Sequence, residues 1–312
     1  MAAGLGLYLK EVDPDATADG VVVGFDGRHG SQEFAADTAA VLIEMGFRVI
    51  AFDAVCATPQ LAHAIPFLNA AAGVMVTASH NPPEYNGYKV YWGNGAQIIP
   101  PHDKGIADEI DVAATQDIPY MALKEGKEAG LIHHFGPTLM EHYLREIITA
   151  NAWPGSPGIS ELKIVYTPMH GVGAEATERA LKLAGFGNVY TVAEQREPDG
   201  DFPTVNFPNP EVPGTLDLAL TEAKKIDADL LIANDPDADR LAVVVPDGET
   251  WRTLNGNEIG SLLAEHVLKS SEESDRLVVT TIVSSRMLKK LAAHHGAHYE
   301  ETLTGFKWIM RP

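Results

Sequence analysis

Apolar residues come in short blocks that alternate with longer stretches of helical spacing. The first block, VVVGFD (Val21 to Asp26), ends in a glycine-rich turn. In the following SQEFAADTAAVLIEMG, Phe34, Thr38, Val41, Leu42 and Met45 share one predicted helical face before Gly46 stops the helix. RVIAFD is the next predicted strand, HAIPFLNAAAG a second helix and GVMVTA a third strand. This is β-α-β-α-β, a right-handed α/β layer.

The cycle restarts at LKIVYTPMHGVGAEATERALKLAGFGNVYTV, read as strand, turn, helix, glycine stop and strand. An irregular proline-rich stretch, Arg196 to Gly214, precedes the helix TLDLALTEAKKID and the strand ADLLIAN. A third cycle runs through NGNEIGSLLAEHVLK, RLVVTTIVSS and RMLKKLAAHHG to TLTGFKWIMRP. The expected fold class is therefore α/β, with consecutive domains of similar topology at 1–138, 139–250 and 251–312. Linkers are expected near His133 to Gly158 and near Pro246 to Asn255. GLGLYLKEV reads as the tail of a helix that starts before Met1.

Composition narrows the partners. Asp and Glu number 43 against 23 Lys and Arg, a formal net charge of −20. That argues against nucleic acid, whose phosphates need clustered cations, although a local pocket can still be basic. A single cysteine, Cys56, excludes an internal disulfide and fits a reducing compartment. The amino-terminal segment lacks a basic n-region, and no apolar run is long enough to span a bilayer. The expectation is a cytoplasmic protein with no membrane partner; monomer and dimer stay equally open.

The acidic segment DLLIANDPDADRLAVVV carries chemistry. A strand delivers Asp235, Asp237 and Asp239, then Arg240, and a second strand leaves. Alternate residues of an extended segment point to one side, so the three carboxylates converge. Like charges about 4 Å apart repel by about 4 kcal/mol at an effective dielectric near 20, so the group needs a cation or a proton. Oxygen-only ligands suit Mg2+. An EF-hand loop starting at Asp235 would need Gly and Glu where Arg240 and Pro246 stand. A solvated acidic turn is the competing reading.

The second candidate is TASHNPPEYNGYKVYW, Thr77 to Trp92. It fits neither a G-x-S-x-G elbow nor a P-loop. On local grounds Ser79 is equally a turn residue. It does, however, stand at the carboxyl end of a predicted buried strand, where ligands bind in open α/β sheets. Asp235 follows a strand of the next cycle in the same way. HHGAH (His294 to His298) lacks H-E-x-x-H and reads as surface or structural.

Taken together, TASHNPPEYNGYKVY resembles the phosphoserine loop of the α-D-phosphohexomutase superfamily, which includes phosphoglucomutases and phosphomannomutases. DPDADR resembles its metal loop, TPMHGVG (Thr167 to Gly173) the turn opening its second domain, and LTGFKW (Leu303 to Trp308) a sugar-side loop of its third. The DPDADR and TGFKW spellings look closest to the phosphoglucomutase/phosphopentomutase branch. The resemblance implies mixed sheets sandwiched by helices. It also implies phosphotransfer between the 1- and 6- (or 5-) positions of a sugar phosphate through a phosphoserine and a bisphosphate. The expected substrate pair is glucose 1-phosphate and glucose 6-phosphate, with a glucose 1,6-bisphosphate-type activator.

By the same resemblance, Ser79 carries the phosphoryl group, and Mg2+ held by Asp235, Asp237 and Asp239 binds a phosphoryl oxygen on it. His80 and Lys89 lie near the phosphoserine, Lys89 as a candidate for proton transfer or phosphate contact. Arg240 balances charge, Arg28 touches phosphate, and Gly305 and Lys307 face the sugar. Gly171 and Gly173 read as turn and close-packing residues. Set against the family's four domains, the chain lacks the first segment of domain one, the specificity loop of domain three and all of domain four. Little or no turnover by the polypeptide alone is expected. The alternative is a fragment that binds Mg2+ or a partner without turnover; a third reading is a phosphatase-like protein that loses its phosphoryl group to water.

Overall fold

The computed structural model describes residues 1–135, 137–150, 155–271 and 273–312. The first part of the chain runs α1 (Ala2–Val12), α2 (Ala16–Asp19), β1 (Val21–Phe25), α3 (Ser31–Glu44), β2 (Val49–Phe52), α4 (Thr58–Phe67), β3 (Ala72–Val76), β4 (Tyr88–Trp92), α5 (His102–Ala113), α6 (Leu123–Glu128) and β5 (Ile132–Phe135). The strands order as β4-β3-β1-β2-β5, all parallel except β4, which returns antiparallel to β3. β1 is buried along its whole length because both faces are covered. Val21, Val23 and Phe25 pack with α1, α3 and α5, while Val22 faces α4.

Two helices differ from expectation. The buried side of α3 is Ala35, Thr38, Ala39, Leu42 and Ile43, whereas Phe34 is exposed. Alanines let the helix sit close to the sheet, so the largest apolar side chain is not the one that faces the core. α4 begins at Thr58, five residues before the expected stretch, since Pro59 suits a first helical turn. The run NAAAG then belongs partly to β3, where Gly73 leaves room for Ile65: a Cβ there would lie 2.4 Å from the Ile65 Cδ1.

α7 (Pro137–Thr149) follows, then β6 (Lys163–Thr167), α8 (Ala174–Leu183), β7 (Asn188–Thr191), a 3-10 turn at Ala193–Gln195, α9 (Asp217–Ile226), β8 (Leu230–Asn234), β9 (Leu241–Asp247) and β10 (Thr250–Leu254). The second sheet orders as β10-β9-β8-β6-β7, with β8, β6 and β7 parallel and β9 antiparallel to β8. Both expected linker regions contain regular structure. β5 and α7 fill much of the first, with α7 packed on both α4 and α8. The second is the β9–β10 hairpin, which carries the sheet to Leu254, past the expected boundary at 250.

The third part contains α10 (Gly256–Ser270), β11 (Leu277–Thr281), α11 (Met287–His294), β12 (His298–Thr302) and α12 (Phe306–Ile309). Asn255 caps α10 by accepting from the backbone N–H groups of Asn257 and Glu258. β11 and β12 are parallel partners, and Leu262, Leu263 and Val267 of α10 are exposed. No described helix is long and apolar enough to cross a membrane.

Candidate active site

The serine loop leaves the carboxyl end of β3. Ser79 adopts a left-handed backbone (φ 52°), uncommon for a residue with a side chain. Its N–H donates to Thr77 Oγ1 at 2.9 Å. The loop is fastened by Arg28, which is 4% exposed. One terminal nitrogen donates to the Ser79 and Asn81 carbonyls, the other to those of Pro82 (2.9 Å) and Tyr85 (3.3 Å). Asp26 lies against the guanidinium, its Oδ2 3.4 Å from Nε, and accepts at Oδ1 from the Ser31 hydroxyl and the Arg28 N–H. Arg28 therefore shapes the loop, with both terminal nitrogens engaged by its carbonyls.

The metal loop leaves the carboxyl end of β8. Asp235 and Asp237 are fully buried, Asp239 is exposed, and one oxygen of each lies within 4.8 Å of the others. Ala238 supplies the left-handed turn between them (φ 57°). The TPMHGVG turn packs beneath: the Val172 N–H donates to the Pro236 carbonyl at 2.9 Å, and a Cβ on Gly171 would lie 2.4 Å from Pro236 Cα. Gly171 and Gly173 are thus close-packing residues, as expected.

The two loops meet. The Ser79 hydroxyl donates to Asp235 Oδ2 at 2.8 Å. Lys89, on β4 of the first sheet, donates to Asp237 Oδ2 at 2.6 Å and Asp239 Oδ2 at 2.9 Å. Thr58, at the start of α4, donates its hydroxyl to Asp237 Oδ2 at 2.7 Å and its N–H to the Asp237 carbonyl at 2.9 Å. His80 Nδ1 lies 3.2 Å from Ser79 Oγ, and the Phe207 ring stands edge-on to His80. Phe202 lies 5.0 Å from the Arg28 guanidinium, a cation–π contact. The irregular stretch of the second unit thus touches the serine loop at His80 and the arginine that fastens it.

Electrostatics follow from burial. Burial, reinforced by the Asp237 and Asp239 charges, pushes the Asp235 carboxyl up to about 8. Burial pushes Asp237 the same way, but the Lys89 ammonium and the Thr58 hydroxyl outweigh it and hold it below the ordinary carboxylate value. Burial would lower Lys89, yet Asp237 and Asp239 hold it well above the usual lysine value. Lys89 is held as a cation beside these carboxylates. Burial first, then Arg240, lowers His80, leaving a neutral imidazole near pH 7. Arg240 is exposed; its N–H donates to Asp235 Oδ1 at 3.0 Å, and its Nε lies 4.0 Å from Asp235 Oδ2.

The donor set fits a hard divalent cation such as Mg2+: all oxygen, two of three carboxylates buried, and a serine oxygen alongside. Asp237 Oδ1 carries the strongest sign. It is buried, and no hydrogen-bond donor of Lys89 or Thr58 reaches it. The three aspartates are the metal-holding group found among the described residues. In HHGAH, His295 pairs with Glu265 and His298 with Asp275, a surface arrangement.

Gly305 and Lys307 are not brought to the cluster. Gly305 (φ 125°) precedes α12, and the Lys307 ammonium lies 5.7 Å from the Trp308 ring centroid. Sequence reasoning missed Thr58, Thr77 and the two phenylalanines. Thr58 had one available signal, its place on the turn after β2, at the same sheet end as Ser79.

Residues 1–117, 141–248 and 255–312 match, in that order, the α/β/α domains I, II and III described as phosphoglucomutase/phosphomannomutase. The phosphoribomutase of Saccharomyces cerevisiae is 42% identical over 98% of this chain and 53% of its own length. The phosphoglucomutase of Staphylococcus epidermidis is 38% identical over 93% of this chain and 53% of its own length. A crystal structure of a phosphoglucomutase/phosphomannomutase family protein from Burkholderia thailandensis superposes with a TM-score of 0.76 at 25% identity, covering 98% of this chain and 62% of that one. The chain spans about half the length of the curated relatives it matches.

Proposed function

Because the chain belongs to the phosphoglucomutase/phosphomannomutase family, we propose that it carries the phosphoryl-transfer centre of a Mg2+-dependent phosphosugar mutase, with Ser79 as the phosphoryl carrier. The observation that carries this reading is the 2.8 Å hydrogen bond from Ser79 to Asp235, which joins the serine loop of one unit to the acidic loop of the next. A bound Mg2+ would supply charge neutralisation for a phosphoryl oxygen. Asp235, Asp237 and Asp239 would hold it. The chain's own residues do the rest. Arg28 fixes the loop that presents Ser79. Lys89 and Arg240 hold positive charge where phosphate oxygens would gather. His80, neutral and within reach of Ser79 Oγ, is placed to take a proton from the hydroxyl that accepts the phosphoryl group.

The relatives' names divide between pentose and hexose phosphates, phosphoribomutase among the more identical and phosphoglucomutase at 38%. Glucose 1-phosphate and ribose 1-phosphate are both candidate substrates, and the corresponding sugar bisphosphates are candidate activators. The test is intact-mass spectrometry of the chain after exposure to glucose 1,6-bisphosphate or ribose 1,5-bisphosphate with Mg2+. One phosphate adduct, absent in Ser79→Ala, is expected. An adduct that persists in Ser79→Ala, or none with either bisphosphate, overturns the reading. Coupled turnover assays with the two sugar 1-phosphates then assign the substrate.

A further inference from the structure

We propose that Thr58 is a positioning residue that sets, from the first unit, which oxygen of Asp237 faces the cation. Asp237 belongs to the metal loop of the second unit and is fully buried. Its Oδ2 receives two hydrogen bonds, from the Thr58 hydroxyl at 2.7 Å and the Lys89 ammonium at 2.6 Å. Its Oδ1 receives none and is shielded from solvent. A buried acceptor with no partner is costly, on the order of 1–3 kcal/mol and more when charged. Such an atom persists where something else neutralises it. A metal ion at the acidic triad would do this. The two bonds on Oδ2 therefore leave Oδ1 as the single ligand atom and fix the carboxylate's rotation about its own axis.

Thr58 suits the task. It opens α4, so its N–H is one of the amides without an intrahelical partner. That N–H donates to the Asp237 carbonyl at 2.9 Å, giving one residue a grip on both the backbone and the side chain of the ligand. The hydroxyl is held in place by its bond to Asp237 Oδ2. The arrangement is that of a ligand oriented by its outer hydrogen-bond partner, except that the partner comes from the neighbouring unit. Cation binding and the docking of the two units are then linked, and each strengthens the other.

This inference rests on the reading of the acidic triad as a divalent-cation site, and the test separates the two. Mn2+ serves as the probe, its free concentration followed by electron paramagnetic resonance. The wild-type chain should bind one Mn2+, and Asp235→Asn should lose it. Failure there overturns the cation site and this proposal with it. With that established, Thr58→Val, which keeps shape and backbone N–H, should weaken Mn2+ binding by about 10-fold or more. Thr58→Ser should restore the wild-type affinity. A purely structural role would lower the melting temperature of both variants and leave the affinity alone. A Thr58→Val protein with wild-type Mn2+ affinity overturns the proposal while leaving the cation site standing. If Thr58→Val folds poorly, Thr58→Ala against Thr58→Ser gives the same contrast.

Discussion

The serine loop and the metal loop occupy the same place in two sheets of matching design. Each leaves a strand buried in a parallel run, β3 or β8, and returns as an antiparallel neighbour, β4 or β9. Each turns through a left-handed residue other than glycine, Ser79 or Ala238. They differ in what holds them. The serine loop is fastened from inside its own unit, by a buried arginine donating to four of its carbonyls. The metal loop is fastened partly by its own TPMHGVG turn and partly by Thr58 and Lys89 of the other unit. The backbone of the serine loop is thus held mainly from within its own unit, and that of the acidic loop depends in part on the junction.

Removing the internal clasp should have the largest effect. Arg28→Met leaves Asp26 buried without its counter-charge, and loss of one partner of a buried pair typically costs about 3–5 kcal/mol. Denaturant titration should show this, with amide exchange in residues 79–85 accelerating more than in α4. A loss below about 1 kcal/mol would mean the serine loop does not rely on its own arginine.

The metal loop should respond to pH. Asp235 has its folded pKa raised from the ordinary value of 3.8 to about 8. Between those values the unfolded chain has released a proton that the folded chain keeps, so stability falls as pH rises, by at most about 1.4 kcal/mol per unit. The effect is complete below pH 4 and lost above pH 8. The depressed Asp237 acts only on the acid side of 3.8. Melting temperatures of the metal-free protein should therefore decline across this window, and Asp235→Asn should flatten the decline. An unchanged slope in that variant would assign it to other groups.

Gly171→Ala tests the metal loop's internal support. The added methyl meets Pro236 backbone, and overpacking of this kind costs about 1–3 kcal/mol. Calorimetry should show that loss together with weaker Mn2+ binding, while phosphorylation-independent exchange in the serine loop stays unchanged. The smallest effect is expected outside both loops. Lys307→Ala should alter stability by less than about 0.5 kcal/mol and leave Mn2+ affinity at the wild-type value. A clear loss of affinity would draw α12 into the site.

The convergence of the three aspartates was legible because they lie in one contiguous run, whereas Ser79, on local grounds equally a turn residue, was singled out by the resemblance. The strand–helix alternation was also legible, since hydrophobic period is a short-range signal. What was not legible depends on distance along the chain. The Asp237 partner of Thr58 lies 179 residues away, and the carbonyls held by Arg28 lie 51 to 57 residues away. Neither pairing leaves a mark on the residues beside it. The α3 face was misread because its contact with the sheet is made largely by alanines, which carry little hydrophobic weight in a periodicity but allow the closest approach. The helix and hairpin inside the expected linker regions were not legible because proline and glycine flank both of them.

The left-handed backbone of Ser79 has a practical consequence. Aspartate and asparagine are among the side chains that best tolerate that region, so a genetically encoded mimic of the charged state, Ser79→Asp, should incur little conformational strain. The strain moves instead into the field: a fourth carboxylate is set beside three. A cation that the unmodified protein accepts would become one that the mimic demands, and Mn2+ should raise the melting temperature of Ser79→Asp more than that of the parent chain.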